Sequence, residues 1–268
     1  MRSRPGTGGR APAVPPFLDN GGKPIACAHR GGSVDGLENS LAAFGRAWEL
    51  GYRWFETDAR MTADGVLIAL HDPTLDRVAD RTGAVAELPW REVRAARIGG
   101  REPVPLIEDV LANWPEARVV IELKTDEAVD PVIELVRRTA AVDRVCVGSF
   151  ADRRLARVRA AFGPRLCTSM GPSEVRRLRA AAWRLLPRRA VASSAACLQV
   201  PTGWGRIPLV EPRLLAYAHA LGLPLQVWTV NQPDEMRRLL DLGVDGLLSD
   251  DVTTLRAVLQ ERGAWRSP

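Results

Sequence analysis

The sequence predicts an α/β fold in which a parallel sheet closes into a barrel, and three observations support it. Short apolar runs, often β-branched, alternate with segments of helical periodicity along most of the chain. Eight such units can be distinguished, which is the number in a (β/α)8 barrel. The chain has 268 residues, enough for one sizeable core and within the usual size of such a barrel. An open, doubly wound sheet fits the same alternation, because periodicity cannot count strands around a circle.

The predicted elements follow one another in a regular order. We expect strands at residues 25–28, 53–58, 119–123, 144–148, 165–169, 197–200, 225–229 and 245–248. We expect helices near residues 40–50, 106–113, 130–140, 151–161, 173–185, 212–221, 233–242 and 252–261. Several of these helical segments end near a glycine, as C-terminal capping predicts, namely at Gly51, Gly163, Gly222 and Gly243.

Two segments depart from this order. Residues 66–105 hold a second apolar run, a polar stretch and a short helical pattern, and they are too long for an ordinary βα loop. We expect an insertion there, after the second strand, on the side of the barrel whose loops build active sites. Residues 1–23 are rich in Gly, Pro and Arg, so we expect a flexible N-terminal lead-in and a barrel domain over residues 24–268.

Composition and charge argue against several classes of protein. No apolar run is long enough to span a membrane, and the N-terminal residues lack the apolar stretch of a secretory signal. The formal charge of +5 comes with dispersed arginines and without a basic stripe interleaved with aromatic residues, which argues against nucleic-acid binding. The cysteines are scattered singly, which argues against a metal–thiolate site and predicts buried, reduced thiols and a cytoplasmic location: Cys27, Cys146, Cys167 and Cys197.

Three carboxylates stand at the ends of predicted strands. Glu56 and Asp58 alternate along one run, so their side chains point to the same face, where they could equally face solvent or pair with arginines. Glu122 interrupts an apolar run of the kind buried on both faces, where an unpaired carboxylate is costly. Lys124 lies two residues on, so a plain ion pair also explains that stretch. Together the three carboxylates suit a hard cation, for which oxygen ligands favour Mg²⁺ or Ca²⁺ over Zn²⁺.

Two of the three histidines occupy comparable places. His29 closes the first predicted strand, and His71 follows the apolar run 66–70, whereas His219 falls within a predicted helix. A lone histidine is usually an ordinary polar residue, but two at strand ends indicate proton transfer near neutral pH. Arg30, next to His29, offers a bidentate hydrogen-bond donor suited to a phosphate or a carboxylate.

An ordered series of motifs carries a resemblance to a known family. The segment AHRGG is followed by ENSLAAFGRAWELGYRWFETDARMTADGVLIALHD, and then by DRVADRTG, VPLIEDVL, IELK, VGSF, VWTVN and GVDGLLSDD. Over residues 24–255 this series resembles the glycerophosphodiester phosphodiesterase family. The resemblance implies a TIM barrel with a small insertion after the second strand. It also implies metal-dependent cleavage of glycerophosphodiesters to sn-glycerol 3-phosphate and an alcohol.

The resemblance also implies roles for individual residues. By position, the family's metal ligands match Glu56, Asp58 and Glu122, and its catalytic pair matches His29 and His71. Its phosphate contact matches Arg30, and further substrate contacts match Lys124 and, more loosely, Trp228. Glu38 and Asn39 match a Glu-Asn-Thr step of the family, although Asn39 equally suits the N-cap of the first helix.

Two departures from the family pattern and three alternatives accompany this interpretation. The sequence has SDDV where the family often has Thr-Asp-Arg-Pro, and the helices of its third quarter are rich in arginine.

An enzyme of the lysophospholipase D type would share every motif and would need an exposed apolar rim beside the mouth. A noncatalytic protein that binds phosphodiesters or phospholipid headgroups would be expected to lack a histidine or a carboxylate. An unrelated barrel enzyme with a phosphate site is a third alternative. The partners expected are a small glycerophosphodiester and, at most, transient contact with a membrane surface.

Overall fold

The computed structural model describes residues 15–205 and 207–266. A parallel sheet of eight strands forms its centre. We number these strands in chain order as β1 Ile25–Ala28, β2 Trp54–Met61, β3 Arg118–Leu123, β4 Val145–Gly148, β5 Cys167–Thr168, β6 Leu198–Pro201, β7 Leu225–Trp228 and β8 Gly246–Ser249. The neighbours run β5, β4, β3, β2, β1, β8, β7, β6. Ser169 then pairs in parallel with Cys197, which joins β5 to β6. The sheet is therefore a barrel, as predicted, and not an open sheet.

In the described part of the chain, eight helices surround the strands. They are α1 Leu41–Glu49, α2 Ile107–Asn113, α3 Val129–Arg138, α4 Asp152–Phe162, α5 Pro172–Ala182, α6 Pro212–Ala220, α7 Pro233–Leu242 and α8 Val252–Glu261. Local sequence explains their ends. The Ser40 hydroxyl caps α1 by accepting a hydrogen bond from the Ala43 amide at 3.1 Å, and α7 ends at Gly243 with φ of 94°. Proline opens α5, α6 and α7, where its missing N–H is not needed.

The core has an outer and an inner part. Apolar helix faces pack on the outside of the strands, whereas the inside of the barrel near its amino end is filled by a smaller cluster that includes Cys27, Trp54 and Val120. Because all eight strands run in the same direction, their carboxyl ends meet at one rim. The residues that follow these strand ends are therefore brought together. No helix among the residues described has the length and apolar character needed to cross a bilayer.

Residues 15–23 correct one expectation. Residues Pro16–Leu18 form a single 3₁₀ turn, and Phe17 is buried against the amino end of the barrel. The Phe17 carbonyl accepts a hydrogen bond of 3.0 Å from Trp54 Nε1. The flexible lead-in predicted for residues 1–23 is thus wrong for this part, because an apolar side chain closes the barrel floor. Residues 1–14 of that lead-in lie outside the described residues.

The chain between β2 and α2 builds a small lobe beside the mouth. A short strand, Leu67–Ala69, pairs antiparallel with the end of β2, and a one-turn helix and two further short strands follow, at Trp90–Val93, Arg97–Ile98 and Glu102–Pro103. The lobe has its own apolar cluster, which includes Ile68 and Ile98. Because the short strand turns back along β2, the residues after it, among them His71, return to the barrel rim.

Candidate active site

The turn after β1 places the first histidine and the arginine. His29, Arg30 and Gly31 form one tight turn, in which Arg30 has a φ of 52°. A Cβ on Gly31 would lie 2.8 Å from the backbone nitrogen of Phe44 in α1, so a larger residue does not fit. Gly31 therefore admits the backbone of α1, and this close approach fixes the turn.

The three carboxylates meet where β2 and β3 run side by side. Asp58 is paired in register with Glu122, and Glu56 lies two residues before Asp58 on the same inward face. One oxygen from each of Glu56, Asp58 and Glu122 lies within 4.8 Å of the other two. Thr57, on the opposite face of β2, donates a hydrogen bond to the Asn39 side chain at 2.8 Å. The alternation expected from the sequence therefore gathers these acids into one cluster.

Two positively charged side chains and one side-chain amide hold Asp58 in its ionised form. Lys124 Nζ lies 2.9 Å from an oxygen of Asp58 and 2.9 Å from an oxygen of Glu122. Arg30 Nε lies 3.3 Å from the other Asp58 oxygen, to which Asn39 also donates a hydrogen bond of 2.9 Å. Burial alone would raise the pKa of Asp58, but Lys124 and Arg30 outweigh it and lower that pKa.

Glu56 is in the opposite situation. It is almost fully buried, and burial together with the Asp58 carboxylate raises its pKa to about 7. Its Oε2 accepts a hydrogen bond of 3.1 Å from the Arg30 amide. Within the described chain, the Asp58 Oδ1 atom is buried without a hydrogen bond of good geometry. A cation among these oxygens would stabilise both the Glu56 carboxylate and this Asp58 oxygen, so the oxygen-only donor set fits a hard divalent ion.

Each of the two histidines is backed by a carboxylate. His29 Nδ1 lies 2.7 Å from Asp250, which also accepts hydrogen bonds from Ser33 and Asn231 at 2.6 and 2.8 Å. His71 Nδ1 lies 2.6 Å from Asp72. In both cases Nε2 is the other ring nitrogen, and for His29 it faces the acidic cluster, 3.7 Å from Glu56 Oε2.

The contact between His29 and Asp250 shifts the pKa of both groups. Burial would lower the pKa of His29, but Glu56 and Asp250 outweigh it and raise that pKa. Burial would raise the pKa of Asp250, yet the hydrogen bond from His29 and its other donors lower it. The pair therefore favours an ionised Asp250, which fixes the orientation of the imidazole.

A chain of ion pairs connects the second histidine to the arginine of the first turn. Arg77 contacts Asp72 at 2.5 Å and donates two hydrogen bonds to Glu38, at 2.7 and 2.8 Å. Glu38 in turn accepts a hydrogen bond of 2.9 Å from Arg30. The lobe after β2 is thereby tied to the rim of the barrel, and the guanidinium of Arg30 is fixed.

Several supporting residues escape sequence reasoning. Asp250, Asp72 and Arg77 contact the predicted histidines or their partners, but their motifs give no reason to single them out. For Asn39 the sequence offers an N-cap as an alternative. The structure assigns that cap to Ser40 and makes Asn39 a donor to Asp58.

A cavity of about 260 Å³ opens at this rim. On one side the predicted polar residues line it, namely His29, Arg30, Glu56, His71, Glu122 and Lys124. Trp228, at the end of β7, lines the other side and contacts Phe150 edge-on, with ring centroids 5.6 Å apart. Asp58 lies behind this surface and is fully buried. The structure thus brings all eight predicted residues to one cavity or directly behind it.

A separate sulfur cluster lies deeper in the barrel. Cys146, Cys167 and Cys197 come from neighbouring strands, and their Sγ atoms all lie within 4.8 Å of one another. All four cysteines are unpaired and buried, as predicted. The sequence argument against a metal–thiolate site depends on how far apart the cysteines are along the chain. That spacing does not reveal that three of the sulfur atoms lie close together in the fold.

Comparison with known proteins decides the family. The model of the "Glycerophosphoryl diester phosphodiesterase family" matches residues 29–254. The chain belongs to this family. It is 40% identical over 266 residues to a "Probable glycerophosphodiester phosphodiesterase 2" of Mycobacterium tuberculosis, a match that covers 96% of this chain and 98% of the relative.

Solved structures of similar proteins support the same fold for this family member. A putative glycerophosphoryl diester phosphodiesterase from Silicibacter pomeroyi is 25% identical, with a TM-score of 0.75 over 92% of this chain and 97% of that one. A phosphodiesterase of Oleispira antarctica, solved with the product sn-glycerol-3-phosphate, is 21% identical, with a TM-score of 0.73. The match covers 89% of this chain and 97% of the Oleispira chain.

The two departures from the pattern of the glycerophosphodiester phosphodiesterase family have local explanations. In the SDDV segment, Asp250 contacts His29, whereas Asp251 accepts a hydrogen bond of 2.9 Å from the Thr254 amide and so caps α8. Some arginines of the third quarter, such as Arg138 and Arg159, pair with acids on neighbouring helices. Arg157, for example, lies 2.7 Å from Asp130.

Proposed function

We propose that the chain hydrolyses glycerophosphodiesters to sn-glycerol 3-phosphate and an alcohol, with a divalent cation, Mg²⁺ or Ca²⁺, held by Glu56, Asp58 and Glu122. One observation carries the proposal. The acidic cluster, an arginine and two carboxylate-backed histidines line or adjoin a single cavity at the carboxyl ends of the strands. The product bound by the Oleispira relative supports the same substrate class.

In this proposal the chain first has to bind and orient an anionic diester. Arg30 is fixed by Glu38 and Asp58, so its guanidinium is preorganised for phosphate oxygens. Lys124 adds a positive charge at the same rim, and Trp228 offers an apolar surface to the rest of the substrate. A bound cation would supply further neutralisation of the charge that develops on the phosphate oxygens.

The two histidines are proposed as the proton-transfer pair. Each Nδ1 faces a carboxylate and both rings line the cavity, so Nε2 is the nitrogen that His29 and His71 would use with the substrate. One removes a proton from the nucleophile and the other donates a proton to the departing alkoxide. The proposal is the same for either order of the two histidines, and for either water or the substrate's own hydroxyl as the nucleophile.

The remaining parts of the proposal concern the setting of the enzyme. We propose that residues 24–268 form the catalytic domain, with the insertion near residues 66–105 contributing His71. Four buried, unpaired thiols support a cytoplasmic location, where thiols stay reduced. The presence of both histidines and all three carboxylates argues against the noncatalytic alternative.

Product analysis tests the proposed reaction. The purified chain is incubated with glycerophosphocholine or glycerophosphoethanolamine, with Mg²⁺, with Ca²⁺ or with chelator alone. We expect sn-glycerol 3-phosphate and the free alcohol in both metal-containing samples or in one of them. Release of glycerol together with a phosphorylated alcohol would mean that the other ester bond is cleaved. The absence of any product with either cation would contradict the proposal.

A further inference from the structure

The three cysteines of the sulfur cluster lie in one layer inside the barrel. They stand on or next to β4, β5 and β6, at Cys146, Cys167 and Cys197. Each comes two residues before a residue that lines the cavity, namely Gly148, Ser169 and Gln199. Because side chains alternate along a strand, the three sulfurs point to the inner face, one layer below the cavity. Their Sγ atoms lie within 4.8 Å of one another.

The sulfur cluster crosses the seam at which the barrel closes. β4 and β5 pair in register, with Cys146 opposite Cys167. At the seam between β5 and β6, Ser169 pairs with Cys197, and the Met170 amide donates a hydrogen bond of 2.9 Å to the Cys197 carbonyl. A ligand shared by the three sulfurs would therefore connect three strands across this seam.

The surroundings of the sulfur cluster are apolar. Trp54, Val120 and Leu248 belong to the same buried group. Within the described residues the set of close ligand atoms consists of the three sulfurs, with no histidine or carboxylate among them. Cys27, on β1, is buried in the same layer of the core but lies outside this set. The barrel thus offers three sulfur ligands and no other.

We propose that Cys146, Cys167 and Cys197 bind one soft cation, the cuprous ion Cu⁺, through their three sulfurs. Thiolates are soft ligands and select soft ions, of which Cu⁺ is the one that thiolate and thioether sites hold. With metal–sulfur bonds of about 2.3 Å, three sulfurs around one ion lie about 4 Å apart. The spacing of the three Sγ atoms admits this arrangement without movement of the strands.

The number of ligands favours Cu⁺ over Zn²⁺. Zn²⁺ in proteins is almost always four-coordinate, so a site with three residues needs water or a substrate as its fourth ligand. The apolar neighbours of the sulfur cluster supply no such ligand, whereas three sulfurs suffice for Cu⁺. Mg²⁺ and Ca²⁺ prefer oxygen, so the sulfur cluster would not compete with Glu56, Asp58 and Glu122 for them.

Binding also has to balance charge in this apolar layer, where an uncompensated charge is costly. Cu⁺ displaces one thiol proton, which passes to water, and one copper–sulfur bond replaces the S–H bond. The other two sulfurs complete the coordination with their lone pairs. The net charge of the site is unchanged, and no electron is transferred, so copper stays Cu⁺ and the sulfurs stay reduced.

The first test titrates the reduced, purified chain with Cu⁺ alone as the probe. The titration is anaerobic, contains Mg²⁺ to occupy the carboxylates, and uses a coloured cuprous chelator as competitor. We expect one Cu⁺ per chain, a sulfur-to-copper charge-transfer band in the ultraviolet, and a melting temperature that rises with the Cu⁺ concentration. X-ray absorption of the loaded wild-type chain should show three sulfur neighbours at about 2.3 Å. Zn²⁺ in a parallel titration should bind more weakly.

Variants locate the ion. Cys167→Ala and Cys197→Ala each remove one sulfur, and each should weaken Cu⁺ binding by at least about tenfold, the smaller of the effects seen when a partner of a metal ligand is lost. Cys27→Ala is the matched control, because Cys27 is also fully buried and loses the same atom. Circular dichroism checks that each variant folds. The control should bind Cu⁺ as the wild type does.

Four outcomes would overturn the inference. The competitor could retain all the Cu⁺, or Cys27→Ala could weaken binding as much as Cys167→Ala. X-ray absorption could show nitrogen or oxygen neighbours, which would place the copper elsewhere. Tighter binding of Zn²⁺ would assign the sulfur cluster to that ion instead. None of these measurements uses turnover, so their outcome is independent of the proposed hydrolysis.

Discussion

The two halves of the cavity at the barrel mouth occupy equivalent positions on the same sheet but differ in composition. On the side of β1–β3, inward positions carry charges that hold one another, as Lys124 does with Asp58 and Glu122. On the side of β4–β7, the corresponding positions are Gly148 and Ser169, and the loops beyond them supply apolar side chains. We call these two sides the polar half and the apolar half of the cavity. The barrel therefore fixes where side chains meet, whereas the residues at each strand end determine which chemistry they can carry out there.

Removal of divalent cations should have the largest effect on the polar half. We expect chelation to abolish turnover, and Mg²⁺ or Ca²⁺ to restore it, because the carboxylate cluster cannot neutralise a phosphodiester without a cation. Titration calorimetry should show that Glu122→Gln weakens cation binding. Glu127→Gln, which alters an exposed carboxylate just beyond β3, serves as the control. Full activity in a rigorously metal-free sample would contradict this expectation.

Replacement of either rim histidine should have the next largest effect. His29→Ala and His71→Ala should each lower kcat by about 10²–10⁴, the usual contribution of a general acid or base. Fold and cation affinity should be retained, as measured by circular dichroism and calorimetry. His219→Ala is the matched control, since His219 pairs with Asp245 and does not line the cavity. A variant that keeps its turnover but loses the cation would show that the histidine is a ligand instead.

The places of these residues in the structure show how much of the site the sequence alone could predict. Strand alternation and helical periodicity predict the barrel, and the positions of His29, Glu56 and Glu122 at strand ends predict the rim on which they meet. Contacts between distant segments are not encoded in such local patterns. The contact of Asp250 with His29 joins residues 221 positions apart and depends on the pairing of β1 with β8.

The floor of the barrel is a second place where local sequence patterns do not predict the structure. Composition predicts a flexible segment before β1, yet Phe17 is buried there, because the open amino end of the barrel needs an apolar side chain to close it. The sulfur cluster is likewise invisible in the sequence. Cys146 and Cys167 become neighbours only through the register of β4 with β5.

Lys124 tests whether a charge in the polar half is structural or functional. Lys124→Met should lower kcat/KM by roughly 10²-fold, the scale for losing one preorganised donor at a developing anion. The two carboxylates that the ammonium now contacts would repel each other, so we expect a lower melting temperature in chelator. A bound cation should restore most of that loss.

The control for Lys124→Met is Lys23→Met, at the other lysine of the chain. Lys23 donates a hydrogen bond to the Trp265 carbonyl at 3.1 Å, far from the rim in the fold. Kinetics and thermal melts are measured on the same preparation of each variant. An equal drop in melting temperature with and without cation, accompanied by normal kinetics, would assign Lys124 a structural role alone.

The smallest effect on activity is expected at an ion pair behind the apolar half. Glu174, in the first turn of α5, accepts hydrogen bonds from the Gly171 amide at 2.8 Å and the Ser193 hydroxyl at 2.6 Å, and it pairs with Arg159 at 2.9 Å. Burial would raise the pKa of Glu174, but Arg159, Ser193 and Gly171 outweigh it and lower that pKa. These contacts hold the loop that carries Met170 and the start of α5, which form the apolar wall, yet none of them reaches the polar half.

The sign of the pH dependence follows from this lowered pKa. The ionised Glu174 stabilises the fold above its unfolded pKa of 4.5, and this contribution is lost as the pH falls through the lower folded value. Glu174→Gln should therefore cost about 1–3 kcal/mol at pH 7 and progressively less below pH 4.5, as measured by urea unfolding. Glu235→Gln, which removes an exposed pair with Arg238, is the control and should cost less. Turnover of glycerophosphocholine should stay at the wild-type level in both variants. The two halves have separate sets of contacts, so we expect no coupling between them. A fall in kcat for Glu174→Gln would contradict this and show that the halves are coupled through α5.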